Sequence, residues 1–480
     1  MFAALPFLTL VASNPGNSFP WSRMLVYWAI VVGLATLVVA LLRRRNRTLT
    51  ERLAAVIALA IYAFGQLAGD LDRTLDLPDI LGLNGAIWTF AALVIAAMLV
   101  SRWKVTQSFV AVLGTLLLTT GVLSVVGGGD LISGGTARAA TPDALELDAG
   151  NTPNVYWFIL DGYGRGDVLE DHYGDTRQAD FLQALKTRGF SVSSKAFAAY
   201  PMTYISVAAT LAADYVAMEG DNIHEEDTFE NLAQGGGWVL ETFRSWGYSY
   251  LLWPGDGFNG TSCVGVEDTC LRPHSWVQEP ERAILRMTPL ASQIELTSSQ
   301  EHFTRSDPIA VADAVLEVEE NSPIFALIHL INPHPPHYQA GPECALQDVP
   351  FRLGAIYGVS EYVDSVRCLN SRLLKAVNRI VRSDEDAVII LQGDHGPSWS
   401  LAIHTDSLDK WNRRETVIRL GVLSAMRLPG GCAPPDTMSL PNTFRVVFDC
   451  LSTDDVPLLQ NRTWIANQTP GDLREVDPID

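Results

Sequence analysis

Basic residues are scarce in this 480-residue chain. Lysine and arginine together number 34, against 54 aspartates and glutamates, so the formal net charge is −20 at pH 7. Such an acidic surface repels nucleic acid and argues against DNA or RNA as a partner. The sequence also contains no P-loop and no GxSxG pentapeptide. Neither a P-loop phosphate cradle nor a serine-triad esterase is therefore supported.

Cysteine is missing from the first half of the chain. All six cysteines lie in the second half and none forms a CxxC pair, which disfavours a zinc cluster. An even number confined to one region predicts disulfides in an oxidising compartment, with scattered buried thiols as the alternative. Pairing between sequence neighbours predicts the bridges Cys263–Cys270, Cys344–Cys368 and Cys432–Cys450.

Long apolar runs occur only near the amino terminus. Four of them approach the roughly 20 residues that a membrane-spanning helix needs, at 24–42, 53–69, 86–100 and 109–126. A shorter run at 2–12 is either a fifth span or an interfacial segment. Arginine and lysine cluster in the loops after the first and third of the four runs, and such loops stay in the cytoplasm.

This charge distribution predicts a multi-pass protein of a bacterial-type inner membrane. The expected parts are a transmembrane anchor at 1–127, a linker rich in small residues at 128–153, and a domain at 154–480 in the periplasm or at the cell exterior. The cysteine distribution independently favours the same side of the membrane.

The extracytoplasmic part alternates two kinds of pattern. Apolar, β-branched and aromatic runs typical of buried parallel strands occur at 154–160, 248–253, 324–331, 387–391 and 417–423. Helical patterns lie between them, at 178–188, 237–246 and 360–381. The alternation predicts an α/β domain with a mainly parallel central sheet flanked by helices, and a functional site at the carboxyl ends of the strands.

Potential metal ligands stand at two of these strand ends. Asp161 follows the first run, and Asp394 and His395 follow another, just before Gly396, which suits a tight turn. Carboxylates and an imidazole at one sheet edge suit a divalent cation. For Asp161 alone, a turn or helix-cap role is the alternative.

A threonine offers a candidate nucleophile. Thr203 follows the helix-breaking Pro201 and precedes a helical pattern, so it lies at or near a helix N-terminus. There it is either a simple cap or a metal-activated hydroxyl that attacks phosphorus or sulfur.

Several further side chains are candidates for substrate contact. His334 projects from a proline-fixed loop at the same edge and suits a general acid or an oxygen-binding role. His337 on that loop is a weaker candidate, and His404 either completes the site or lies on a surface loop. Arg165 pairs either with an anionic substrate group or with a structural carboxylate. His329 lies within a strand and is expected to be buried and hydrogen-bonded.

Taken in order, these segments resemble the alkaline phosphatase and sulfatase superfamily. The likeness is greatest to its membrane-anchored sulfatase-like members, the lipid A phosphoethanolamine transferases and lipoteichoic acid synthases. Residues 203–207 fit the T-x-x-S-V segment of those transferases, 333–335 resemble their NHGP loop, and 394–396 match their DHG. The resemblance implies one divalent cation held by Asp161, Thr203, Asp394 and His395, with Thr203 as the nucleophile.

The departures from the family pattern narrow this expectation. The transferases usually have Glu where Asp161 stands, the C/S-x-P-x-R segment of true sulfatases is missing, and the D-x-x-x-H pair of a second metal site is not evident. The resemblance thus implies a single cation, zinc or manganese first, with calcium or magnesium as alternatives.

The predicted reaction moves a phosphoethanolamine- or phosphoglycerol-like group from a membrane lipid to an envelope lipid or glycan through a phosphothreonine. One alternative is a hydrolase of phosphodiester, phosphomonoester or sulfate. The other is a non-catalytic envelope protein that binds or assembles.

Overall fold

The structure is a computed structural model that describes much of the predicted extracytoplasmic part. The described residues are 144–148, 150, 152–219, 232, 237–255, 261, 263, 265–271, 307–334, 339–341, 344–346, 359–397, 407–467, 472–477 and 479. The predicted spans, including the run at 2–12, lie outside these residues. Within the described part of the chain, no helix is both long enough and apolar enough to cross a bilayer. The predicted domain boundaries therefore stay predictions.

A seven-stranded sheet lies at the centre of the domain. In chain order the strands are β1 Val155–Leu160, β2 Ser191–Val192, β3 Lys195–Phe197, β4 Ser249–Trp253, β5 Thr269–Cys270, β6 Ile324–Leu330, β7 Gln339–Ala340, β8 Ala345–Leu346, β9 Val388–Gly393, β10 Ser424–Arg427, β11 Thr437–Ser439, β12 Thr463–Ala466 and β13 Leu473–Val476. The order across the large sheet is β2-β10-β9-β1-β6-β4-β5. Strand β10 is antiparallel to both of its neighbours and the other pairs are parallel, so the predicted mainly parallel sheet is confirmed.

Helices cover the two faces of this sheet. They are α1 Gly166–Tyr173, α2 Gln178–Lys186, α3 Thr203–Ala212, α4 Trp238–Ser245, α5 Pro308–Leu316, α6 Val359–Ser383, α7 Arg413–Leu420 and α8 Thr443–Leu451, with single 3₁₀ turns at Leu408–Lys410 and Leu440–Asn442. Strand β1 is buried along its whole length, and its alternate side chains enter two different hydrophobic clusters. The cluster that receives Trp157 contains residues of α3, α4 and α8, whereas the cluster that receives Phe158 contains residues of α1, α2, α5 and α6. The domain is therefore a three-layer sandwich with a core on each side of the sheet.

One predicted strand is wrong. The run at 417–423 is the end of helix α7 and a connection, and the strand β10 begins only at Ser424. The side chain of Asn412 accepts a hydrogen bond from Glu415 N at 3.0 Å and caps the helix, so the following residues continue as helix. Short apolar runs have the same appearance in a buried strand and on the buried face of a helix, which explains the error. The other predicted strands and helices agree with the structure within about two or three residues.

The three disulfides have the predicted partners. Cys263 pairs with Cys270, Cys344 with Cys368, and Cys432 with Cys450, at Cα–Cα distances of 6.0, 5.4 and 6.1 Å. The prediction from sequence neighbours is confirmed.

The end of the predicted linker packs against the domain. Leu147 forms a β-bridge with Ser452, Asp148 N donates to Leu451 O at 2.9 Å, and Trp246 Nε1 donates to Leu145 O at 2.9 Å. Trp246 lies just before β4, so the chain enters the domain beside the amino ends of the strands.

Candidate active site

Alternation along the strands places three polar side chains on one face of the sheet. Residues two apart in a strand share a face, so Asp161 continues the face of Ile159, and His329 is paired with Ile159 in register. Asp394 likewise continues the face of Ile390, a residue of the same hydrophobic cluster as Ile159. This is the face that α3 covers. The sheet edge therefore brings Asp161, His329 and Asp394 beneath the helix that begins with Thr203.

The two aspartates are buried and only partly satisfied. Asp161 and Asp394 are 7% and 2% exposed, and Asp394 Oδ1 accepts a hydrogen bond from Gly162 N at 3.0 Å. Oδ1 of Asp161 and Oδ2 of Asp394 have no hydrogen-bond partner, although both atoms are buried. A buried carboxylate oxygen without a partner is costly, so a cation between these atoms is the arrangement that the site favours.

His395 offers the nitrogen that completes this set. Its Nδ1 lies 2.9 Å from the carbonyl oxygen of Gly396, which can only accept, so Nδ1 carries the hydrogen and donates it. Nε2 is therefore unprotonated. It lies 3.5 Å from Asp161 Oδ1 and 3.4 Å from Asp394 Oδ2. A backbone carbonyl that fixes the tautomer in this way is typical of metal-binding histidines.

Thr203 faces the same nitrogen. Its Oγ1 lies 3.0 Å from His395 Nε2, and the hydroxyl is the only donor of the two in this tautomer. Thr203 is the first residue of α3, and the N-cap is Met202, whose side chain makes no capping hydrogen bond. The hydroxyl of Thr203 thus does not occupy the N-cap position, and the simple-cap alternative from the sequence is not favoured.

Ser206 joins helix α3 to the loop at 394–396, which carries Asp394 and His395 and is called the metal loop below. Its Oγ donates to Asp394 O at 2.6 Å, one helical turn after Thr203. This contact explains in physical terms why a serine stands three residues after the threonine. The segment fixes both the hydroxyl and the loop that it approaches.

The residues that are brought together fit one divalent cation. The ligand atoms of Asp161, Asp394 and His395 all lie within 4.8 Å of one another. Donors bound to one small divalent ion at about 2.0–2.2 Å lie about 3–3.5 Å apart, close to the separations given above. Burial would raise the pKa of Asp161, but His334, His329 and His395 outweigh it and hold that pKa below its usual range. The carboxylate is therefore ionised, as a metal ligand must be.

The other predicted residues have mixed outcomes. His334 is half-buried, and its backbone N–H donates to Ile331 O at 2.8 Å. Its ring lies 6.2 Å from the ring of His395, so it borders the site, and its catalytic role stays a prediction. His337 and His404 lie outside the described residues. Arg165 is 3% exposed, and its guanidinium donates to Asp167 at 2.7 and 3.1 Å and to two backbone carbonyls. These contacts favour the structural ion pair over contact with the substrate, the two alternatives that the sequence left open for Arg165.

Two residues near the site were not predicted to belong to it. His329 is 1% exposed, its Nε2 lies 3.7 Å from Asp161 Oδ2, and its Nδ1 lies 3.2 Å from Thr261 Oγ1. The register between β1 and β6, which the sequence does not contain, places it there. Arg419 is buried beside Gly396, and the misassigned strand at 417–423 concealed it.

The family follows from a match that covers more than half of the chain. Residues 153–416 match the Sulfatase family. The chain belongs to this family and is accordingly a sulfatase-like hydrolase or phosphotransferase of the alkaline phosphatase superfamily. The predicted resemblance and enzyme class are confirmed. No curated protein matches the chain.

Solved structures show similarity at low identity. The C-terminal periplasmic domain of EcEptC from Escherichia coli in complex with Zn is 14% identical, with coverage of 70% of this chain and 96% of that chain and a TM-score of 0.40. The lipooligosaccharide phosphoethanolamine transferase A of Neisseria meningitidis is 14% identical, with coverage of 76% and 73% and a TM-score of 0.39. The phosphonate monoester hydrolase of Agrobacterium radiobacter is 13% identical, with coverage of 66% and 82% and a TM-score of 0.39.

The metal-free protein is expected to lose stability in acid through His395. Burial, followed by the charge of Arg419, lowers the pKa of His395 to about 4. The unfolded chain takes up this proton near pH 6.5, so the stabilising contribution is complete above that pH and is lost as the pH falls towards 4. The loss amounts to about 3 kcal/mol. The measurement is the free energy of unfolding by denaturant, taken between pH 7 and pH 4 on protein from which a chelator has removed the metal.

Two variants separate the contribution of His395 to this pH dependence from that of other groups. His395→Asn should flatten this pH dependence, whereas His172→Asn, at the end of α1 and away from the cluster, should preserve it. Equal slopes in both variants would show that other groups are responsible.

Proposed function

We propose that this chain is a membrane-anchored enzyme that transfers a phospho-group through a phosphothreonine at Thr203. The group is of the phosphoethanolamine or phosphoglycerol type, the donor is a membrane lipid, and the acceptor is an envelope lipid or glycan. The observation that carries the proposal is the 3.0 Å approach of Thr203 Oγ1 to His395 Nε2, beside two buried carboxylate oxygens without partners. A nucleophile next to a set of cation ligands suits covalent phosphoryl transfer.

Four residues would hold the cation. They are Asp161, Asp394 and His395, with Thr203 Oγ1 as the fourth donor. The imidazole favours zinc or manganese, since calcium and magnesium prefer sites made only of oxygen. A divalent cation bound there lowers the pKa of the threonine hydroxyl and neutralises charge on the transferred group.

The first half of the proposed reaction forms the phosphothreonine. Thr203 Oγ1 releases its proton to solvent and attacks phosphorus, and the bond from phosphorus to the lipid alcohol breaks. Protonated His334 gives its proton to the departing alcohol oxygen. The backbone N–H groups at the start of α3 favour the anionic group at this position.

The second half regenerates the enzyme. An acceptor hydroxyl gives its proton to the now neutral His334 and attacks the same phosphorus. The bond to Thr203 Oγ1 breaks, and Oγ1 recovers a proton from solvent. Water in place of the acceptor would make the same chain a hydrolase, so transfer and hydrolysis differ only in the second nucleophile.

The sequence supports a membrane-derived substrate. Its apolar runs and their basic flanks predict an anchor with the enzymatic domain on the outer side of the membrane. A short linker then keeps the domain close to lipid headgroups, which favours a lipid donor over a soluble one.

A trapping experiment tests the intermediate. The purified full-length chain, loaded with zinc or manganese, is incubated with phosphatidylethanolamine or phosphatidylglycerol, quenched in acid, digested and analysed by mass spectrometry. We expect an added phosphoethanolamine or phosphoglycerol on the peptide that contains Thr203. Addition of lipid A or an envelope glycan should discharge the adduct into a phosphorylated acceptor.

Two outcomes would contradict the proposal. Turnover without any adduct on Thr203 would exclude the covalent route. If water hydrolyses the adduct at a rate that no acceptor changes, the protein is a phosphodiesterase and not a transferase.

A further inference from the structure

Arg419 is a buried cation next to the site, and the proposed chemistry does not use it. It lies in the last turn of α7 and is 4% exposed. Burial lowers its pKa to about 10, with Asp394 and Asp161 acting in the opposite direction, so it stays protonated at neutral pH. A buried guanidinium costs free energy unless its donors are matched, so its contacts should indicate its role.

The side chain of Arg419 joins two loops that carry different parts of the site. Its Nε donates to Pro201 O at 2.7 Å, and its Nη1 donates to Gly396 O at 3.0 Å. Pro201 is two residues before Thr203, and Gly396 is the residue after His395. One guanidinium thus spans the nucleophile segment and the metal loop.

The backbone of the same residue strengthens this connection. Gly396 N donates to Arg419 O at 2.6 Å, and a Cβ on Gly396 would overlap the carbonyl oxygen of Ile418. The loop therefore approaches α7 as closely as glycine permits. The Gly396 carbonyl is also the acceptor that fixes the tautomer of His395, so Arg419 and His395 Nδ1 converge on one oxygen atom.

We infer that Arg419 is a positioning residue that sets the separation between Thr203 Oγ1 and His395 Nε2. The inference rests on the proposed function of Thr203 as the nucleophile. The planar fork of the guanidinium reaches two carbonyls in fixed directions, whereas a lysine ammonium is a point charge on a flexible stem and reproduces only one of them. Loss of the fork leaves the link between Ser206 Oγ and Asp394 O in place but removes the second link, so the relative position of the two segments is held less tightly.

Arg427 provides a matched control for a purely structural arginine. It also donates to two backbone carbonyls, Ala387 O and Glu385 O, both at 2.6 Å. These carbonyls lie just before β9, at the amino end of the strand whose carboxyl end carries Asp394. Arg427 therefore has the same kind of contacts far from the reacting atoms.

The test compares Arg419→Lys with Arg427→Lys in the full-length protein. For Arg419→Lys we expect kcat to fall by about a hundredfold, the scale of an ångström-sized misplacement, with KM changed by less than about twofold. The rate at which the Thr203 adduct forms should fall by the same factor. Arg427→Lys should leave kcat and adduct formation unchanged. Thermal unfolding and metal content are measured on both variants, and the rates are expressed per molecule of folded, metal-containing protein.

The possible outcomes separate this inference from the proposed function. Wild-type kcat in Arg419→Lys would overturn the positioning role, and so would equal losses in the two variants after normalisation. Thr203→Ala is assayed in parallel. An inactive Thr203→Ala with an unaffected Arg419→Lys refutes only the positioning role, whereas an active Thr203→Ala refutes the proposed function itself.

Discussion

Replacement of Thr203 by alanine is expected to reduce turnover by at least about a thousandfold, the scale seen when a covalent nucleophile is removed. The substitution deletes Oγ1, the atom 3.0 Å from His395 Nε2, and leaves Asp161, Asp394 and His395 in place. Metal binding should weaken but persist, because three ligands remain. Steady-state turnover of a labelled phospholipid and metal content per protein are the two measurements.

Two further variants make this result specific. Thr203→Ser restores a hydroxyl at the same position and should recover measurable turnover. Thr210→Ala removes a hydroxyl from the same helix, where Thr210 Oγ1 donates to Ser206 O at 2.9 Å, and should leave turnover near the wild-type value. Full activity in Thr203→Ala, or equal losses in Thr203→Ala and Thr210→Ala, would exclude the nucleophilic role.

Asp394→Asn is expected to have the second largest effect, through the metal. The amide keeps an oxygen that can accept from Gly162 N, but it removes the negative charge. Metal affinity should fall by more than the roughly 10- to 100-fold that loss of an outer hydrogen-bond partner costs. Turnover should fall with it and recover in part at high metal concentration. Isothermal titration of the metal into the chelated protein and kcat at several metal concentrations test this.

Asp175 is a matched control for this substitution. It is 1% exposed, its Oδ1 accepts from Arg367 Nε at 3.0 Å, and its Oδ2 is buried without a partner, as in Asp394. It lies outside the metal cluster, so Asp175→Asn should lower stability without changing metal affinity. Equal loss of metal affinity in both variants would show that the effect of Asp394→Asn comes from general destabilisation.

The sequence predicts the fold well where chemistry and secondary structure coincide. Asp161 and Asp394 each follow an apolar run that the structure shows to be a central parallel strand, β1 or β9. Because parallel strands end at one edge, the two carboxylates could be placed together without knowledge of the strand order. Thr203 is different, since its local sequence fits a cap as well as a nucleophile. The family resemblance implies the nucleophile, and the contact of Thr203 with His395 agrees with that role.

The places of Arg419 and His329 near the site depend on long-range contacts that the sequence does not predict. Arg419 contacts carbonyls of residues 218 and 23 positions away, and no side-chain pattern records a carbonyl as an acceptor. His329 lies in a strand that is buried on both faces, where alternation of polarity does not indicate its direction. The register between β1 and β6, which only the fold supplies, places it next to Asp161.

The chain enters the domain beside the amino ends of the strands, and this fixes how far the end of the predicted linker lies from the site. The cluster around Asp161 lies at the opposite ends of those strands, and the six residues of β1 measure roughly 20 Å at about 3.3 Å per residue. The segment at 144–148 and the cluster are thus separated by about the length of β1. Changes in the length of the predicted linker should therefore not disturb the cluster directly.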